Sequence, residues 1–300
     1  MTNMPNSLRI DGSIFLLAAA LSLTSASGET VSAHGVVPIL AGRAPEYFAV
    51  GECLHAETFA DPGSWLVQVE PVESATTPRI RFEDGVFDLY MPERGCTAWL
   101  KQRFAGPVAI IYEVRCPVET LEDPGIQARD LNNFWHATDP LAEDGLFDPK
   151  RYTGRFTTYH KLHGYYASTG GGGRVGNRTI RFRRYPRSNP EGEPLPHIAL
   201  TEQDGRQDLL IVPGRWHHVQ LVIAGGFVQY IFDGKLVYEM APGDEVTVEH
   251  PDGSVTRERY TLERFPAYDS GYFGFRMVRS HHQYRHLRIY RLRPVRAPAS

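Results

Sequence analysis

Beyond residue 50 the chain alternates short apolar or half-apolar runs with clusters of Gly, Pro, Asp and Asn. Trp65–Glu70, Pro78–Glu83, Val86–Tyr90, Thr97–Lys101 and Val108–Val114 are such runs. Thr157–Tyr166, Arg178–Tyr185, Leu209–Val212, Trp216–Ile223, Phe227–Phe232, Lys235–Met240, Gly271–Val278 and His286–Leu292 follow. Residues two apart share one face of a strand, so these runs predict β-strands, and no stretch keeps a helical period. Asp233-Gly234 between Phe227–Phe232 and Lys235–Tyr238 predicts a tight hairpin. About a dozen strands without intervening helices predict an all-β protein, a two-sheet antiparallel β-sandwich. Ser188–Arg206 and Pro242–Glu263 read as long surface loops.

One segment breaks this pattern. Ile14–Leu23 is the longest apolar run, follows Arg9, and precedes the small residues Ser25-Ala26-Ser27-Gly28. That is the layout of a signal peptide, predicting residues 1–27 as a leader, 28–300 as one domain with its core at about 50–293, and a secreted or periplasmic location. A buried N-terminal strand or helix is the alternative. The run is shorter than the roughly 20 apolar residues of a spanning helix, and no later run is apolar enough to span a bilayer. The 300 residues carry a net charge of −3, which excludes a general nucleic-acid-binding surface. Three cysteines, Cys53, Cys96 and Cys116, allow at most one disulfide, and they show no zinc-site spacing.

Charge placement narrows the chemistry. Between Arg151 and Pro190 stand eight Arg and Lys161 with no Asp or Glu, a local +9 that leaves −12 on the rest of the chain. One basic face on an otherwise acidic protein predicts an anionic partner. In Thr179–Tyr185, turning Ile180 and Phe182 inward puts Arg181 and Arg183 together outside. In Thr158–Tyr166, turning Leu162 inward places Tyr159, Lys161, His163 and Tyr165 outside and His160 on the core side; a bulge would exchange His160 for His163. Gly271–Met277 likewise turns Phe273 and Phe275 inward, and Tyr272 and Arg276 outward. The expected groove is one of Arg, Tyr and His.

Asp130–Asp139 crowds Asn133, Trp135 and His136 into one strand-like piece, and His281, just past Arg276, reaches towards the groove. His217 and His218 read as structural. Gly170–Thr179 lacks the Gly-Lys-Ser/Thr ending of a phosphate loop, and no helix follows it. Arginine forks suit carboxylates, and aromatic faces suit sugar rings, so an acidic poly- or oligosaccharide is the expected partner.

Gly95–Lys101, Gly106–Glu113, Asp130–Ala137, Tyr159–Tyr166, Asn177–Tyr185 and Gly271–Arg276 together resemble the YesU-like family of the concanavalin A-like lectin/glucanase superfamily, over roughly residues 50–293. The resemblance implies a concanavalin A-like jelly roll with a role in carbohydrate breakdown. The chain departs from it at His136, where Met is common, and in the insert-like Gly243–Glu263. Structural calcium is frequent in that superfamily, but no oxygen-rich loop is evident and no cofactor is expected.

Three functions fit: a lyase, a glycoside hydrolase and a non-catalytic sugar-binding module. The Glu-x-Asp-x-x-Glu array of jelly-roll glucanases is absent, which leaves Asp130 and Asp139 as a carboxylate pair for hydrolysis. β-Elimination beside a uronate carboxylate needs that charge neutralised, a base, and an acid for the leaving oxygen. Arg181 and Arg183 with Asn133 are expected to neutralise, His160 or His163 to act as base, and Tyr165 as acid. Tyr159, Lys161, Trp135, His136, Arg276 and His281 complete the expected substrate contacts. Loss of water without cleavage, a dehydratase reaction, stays open beside elimination.

Overall fold

The computed structural model describes residues 37–203 and 206–295. The predicted leader lies outside these residues. Among them are fifteen strands: β1 (Phe48–Ala56), β2 (Trp65–Val69), β3 (Arg79–Glu83), β4 (Val86–Ala105), β5 (Val108–Arg115), β6 (Leu131–Thr138), β7 (His163–Gly171), β8 (Thr179–Tyr185), β9 (His197–Gln203), β10 (His217–Ala224), β11 (Phe227–Phe232), β12 (Lys235–Met240), β13 (Glu245–Glu249), β14 (Val255–Arg259) and β15 (Ser270–Pro294). Every pairing is antiparallel, and β10, β11 and β12 run as consecutive hairpins. No described helix is long and apolar enough to cross a membrane.

Two strands are too long to lie flat. β4 has 20 residues and β15 has 25, and each bends near its middle. Glu93 and Arg279 adopt left-handed backbone at these bends, where the register between the strands shifts between Val278 and Ser280. One half of the bent pair continues into β6, β7, β8, β9, β13 and β14, and the other into β5, β10, β11 and β12. The ladder thus folds over itself into two layers, as the sequence pattern predicts.

The inward faces meet in one large core containing Phe87, Leu100, Ile110, Tyr112, Trp135, Phe182, Leu221, Phe273 and Phe275. Polar contacts tie the layers: Asn133 Nδ2 donates to the Tyr112 hydroxyl at 2.9 Å, Thr169 and Tyr230 share a hydrogen bond at 2.5 Å, and the Tyr238 hydroxyl donates to the Ile180 carbonyl at 3.0 Å. A second cluster lies on the outer face of the β6–β8 layer, where Trp99, Phe134, Tyr166, Tyr185 and Tyr272 are covered by Leu146, Tyr152, Tyr159 and Leu162 from the β6–β7 connection.

Four sequence expectations change. Ser188–Arg206 contains β9, and Pro242–Glu263 contains the β13–β14 hairpin, since alternating Val246 and Val248 pack into the core despite charged neighbours. Leu209–Val212 is not a strand; Leu209 ends a short 3-10 turn and anchors to the core. The first half of Thr157–Tyr166 is a 3-10 turn, Phe156–Tyr159, and β7 begins only at His163. All three cysteines are free, Cys53 exposed and Cys96 and Cys116 buried.

Candidate functional site

The outer face of the β6–β8 layer carries two parallel rows of register partners. Arg276 on β15 pairs with Asn132 on β6, Asn132 with Ser168 on β7, and Ser168 with Arg181 on β8. Beside this polar row, Phe134, Tyr166 and Arg183 are paired in the same way. Partners directly opposite stand about 4.5–5.5 Å apart, so each row presents a continuous edge of side chains. A cavity of about 190 Å³ opens over the rows, walled by Phe156 from the cover, by Arg129 and Asp130, and by the Gly171–Gly173 turn.

Its electrostatics are one-sided. Arg129, Arg181, Arg183 and Arg276 face it, and Asp130 is the one carboxylate among the lining residues. Asp130 is already engaged, accepting from Arg129 Nε at 2.7 Å. Arg181 and Arg183 make no ion pair among the described residues. Their Nε groups, together with Nε and Nη2 of Arg276 and Oδ1 of Asn132, are buried without a partner among the described residues. Burial, and then the neighbouring Arg183, press the pKa of Arg181 down. Arg276 is held in place: Nη1 donates to the Gly154 carbonyl and to Thr97 Oγ1, and the guanidinium lies 5.3 Å from the Phe156 ring centre and 5.6 Å from that of Tyr159.

His160 stands at the rim. Its ring meets Phe156 edge-on at 5.3 Å, and Nε2 accepts from Arg187 at 3.0 Å. Burial, with Arg187 and Arg183 close by, pulls His160 down to about 4, so it is neutral at pH 7. Tyr166 faces the cavity opposite Arg183, and burial pushes its hydroxyl well above the ordinary value.

Of the residues expected from the sequence, the structure brings Arg181, Arg183 and Arg276 together, with His160 beside them. The others lie elsewhere. Asn133 points into the core onto Tyr112, and Trp135 and Tyr165 stack there with ring centres 6.0 Å apart. Tyr165 is inward because β7 starts at His163; the preceding turn breaks the alternation that was counted from Leu162. Tyr159 is a buried part of the cover, donating to Gln68 Oε1 at 2.7 Å, and meets the site through Arg276 and Phe134. Lys161 lies over Tyr152 at 5.3 Å. His163 stacks on Tyr268 at 5.4 Å, and His136, left-handed and buried, bonds the Tyr268 carbonyl at 2.8 Å. His281 lines a different cavity, between Thr120 at 2.9 Å and Asp88 at 2.8 Å. Tyr272 keeps its outward face but lies under Phe147, its hydroxyl donating to Asp144 at 2.8 Å.

The carboxylate pair also dissolves. Asp139 accepts from Arg151, from the Tyr152 hydroxyl at 2.7 Å and from the Leu141 amide at 2.7 Å, fastening the cover rather than facing the cavity. Asn132, Ser168, Tyr166 and Phe156 were missed. On β6 and β7 almost every residue is buried on both faces, so no polar–apolar contrast marked which side they take. The described residues hold no group of three or more His, Cys, Asp and Glu side chains placed to bind a metal ion.

Among solved structures, a Bacillus subtilis protein of unknown function with a galectin-like fold is similar over 82% of this chain and 98% of its own, at 18% identity and a TM-score of 0.54. The metal-free Emp46p carbohydrate recognition domain aligns at 10% identity over 79% of this chain and 95% of its own, with a TM-score of 0.44. The carbohydrate binding module CBM66 from Bacillus subtilis aligns at 10% identity over 76% and 95%, with a TM-score of 0.40. No curated protein matches. Fold and site together define a galectin-like β-sandwich with an arginine-lined cavity on one outer face. The chain belongs to the family described as Domain of unknown function (DUF6250), whose model matches residues 91–265, more than half its length.

Proposed function

We propose that this protein acts on an acidic glycan, binding a carboxylate-bearing sugar in the arginine cavity. One observation carries the reading: Arg181, Arg183 and Arg276 line one cavity, the Nε of each and Nη2 of Arg276 have no partner among the described residues, and the one lining carboxylate is held by Arg129. Unpaired buried guanidiniums cost free energy unless an anion meets them, and their planar forks suit a carboxylate. Asn132 and Ser168 supply hydroxyl partners, and Phe156 and Tyr166 supply ring faces. The sequence's resemblance to YesU-like proteins implies a role in carbohydrate breakdown, and its leader-like N-terminus supports a secreted or periplasmic setting.

Tyr166 favours a second reading on the same site, β-elimination. Kept protonated by burial and set opposite Arg183, it is suited to protonate a departing oxygen, while neutral His160 would take the proton beside the carboxylate once its Nε2 is released from Arg187. Two-carboxylate hydrolysis finds no second acid among the lining residues.

Titration calorimetry with tri-galacturonate and its carboxyl-reduced counterpart tests the binding. Heat from the acid and none from the neutral sugar is expected; equal binding of both overturns the carboxylate reading. Mass spectrometry of the same mixtures separates the chemistries, since elimination yields fragments summing to the parent mass, hydrolysis adds one water, and a sugar-binding module leaves the mass unchanged.

A further inference from the structure

We propose, resting on the acidic-glycan reading above, that the cavity receives the end of a glycan chain, seating one terminal carboxylate-bearing ring against Arg276. The rest of the chain leaves over Arg181 and Arg183 towards β9.

The argument is one of walls. Across the sheet the polar row runs from β15 to β8, and at its β15 end the way is shut. There the backbone at Gly154 lies so close to β2 that an added Cβ would fall 2.4 Å from the Glu70 nitrogen, and Arg276 Nη1 holds the Gly154 carbonyl. Arg155 fastens the same segment to Glu70 at 3.3 Å. Arg276 itself is clamped, with the Phe156 ring on one side and Gly95 on the other, where a Cβ would stand 2.5 Å from Nη2. A polymer threading past would have to displace this whole tether.

The sides are walled as well, by Phe156 along one and by Asp130 with the Gly171–Gly173 turn along the other, while none of the described side chains of β9, residues 197–200, lines it. The size agrees: about 190 Å³ lies below the roughly 300–1,000 Å³ that holds a drug-sized ligand, as a seat for a single ring should. Of the three guanidiniums not paired with Asp130, Arg181 and Arg183 stand where the terminal ring leaves the pocket, and Arg276 closes its far end. A terminal uronate is thus gripped at its own carboxylate, with the next one met at the mouth.

The test is stoichiometry. The whole protein is titrated with galacturonate oligomers and with polygalacturonate of defined length, at physiological salt to suppress diffuse attraction to a polyanion. A constant ratio of one protein per chain, with molar affinity unchanged beyond the shortest tight-binding oligomer, is expected. An Arg276→Ala variant should lose this binding at least tenfold. If the bound protein per chain instead rises in proportion to chain length, the site reads chain interiors and the end-binding proposal falls while the acidic-glycan reading stands. If no uronate oligomer binds, that reading fails and takes this one with it.

Discussion

Asn132 and Asn133 are consecutive on β6 yet serve opposite sides of the layer. Asn132 lines the arginine cavity with a buried, unpartnered Oδ1, whereas Asn133 donates across the core to Tyr112 at 2.9 Å. Substituting them should separate binding from stability. Asn133→Ala leaves the Tyr112 hydroxyl unpaired, costing about 1–3 kcal/mol. At roughly 2–4 °C per kcal/mol for a domain of this size, the loss is visible in a thermal melt. Asn132→Ala should leave the melt nearly unchanged and weaken uronate binding about tenfold in calorimetry. A reversed pattern would show that the two faces have been exchanged.

Arg183 is expected to behave unlike an ordinary buried ion. Because Arg183 has no carboxylate partner among the described residues, its replacement by Met removes a desolvation cost and should hold or raise the melting temperature while galacturonate binding falls tenfold or more. Arg183→Lys keeps the charge without the fork and should recover only part of the affinity. A clear loss of stability with binding intact would assign Arg183 a structural role instead.

The neutral histidines at the rim set a pH response. His160 and His197 both lie near 4 in the fold, chiefly through burial, with Arg187 next to each, against about 6.5 when unfolded. The unfolded chain therefore binds more protons between these values. The stability contribution is present above about pH 6.5 and is lost as the pH falls towards 4. Urea unfolding from pH 7 to 4.5 should show this decline, and it should be shallower in a His160→Asn, His197→Asn double variant.

Alternation made β8 legible, because Ile180 and Phe182 contrast sharply with Arg181 and Arg183, and the same contrast placed Arg276 opposite Phe275. It failed where contrast vanished or the count was interrupted. The turn Phe156–Tyr159 resets the phase before β7, so Tyr166 takes the place expected for Tyr165. The bends of β4 and β15 leave no local signal, since they are fixed by pairing between residues as distant as Cys96 and Met277.

Asp139 offers a test of the cover. Although burial pushes it up, bonds from Tyr152 and Arg151 hold its carboxyl below the usual range. Asp139→Ala leaves the Arg151 charge uncompensated and should destabilise the protein by about 3 kcal/mol in urea unfolding. Uronate binding should fall too, because the loosened connection carries Gly154 and Phe156. An unfolding curve identical to wild type would show that Asp139 does not fasten the cover.

The thiols should divide cleanly. Cys96 and Cys116 are buried and pushed up to about 12, whereas Cys53 is exposed. A thiol reagent should label Cys53 alone in the native protein and all of them in denaturant.

Strand β15 pairs with β1, β4, β5 and β6, joining positions as remote as Phe48 and Pro294. Contacts of such span form slowly, because a long loop must close before they gain anything. Arg276 rides on this strand, so its places beside Asn132 and Thr97 exist only after β15 has paired with β6 and β4. If the cavity holds an anionic sugar as proposed, a chain emerging residue by residue is blind to it until this last strand has paired, and binding would itself report that folding has finished.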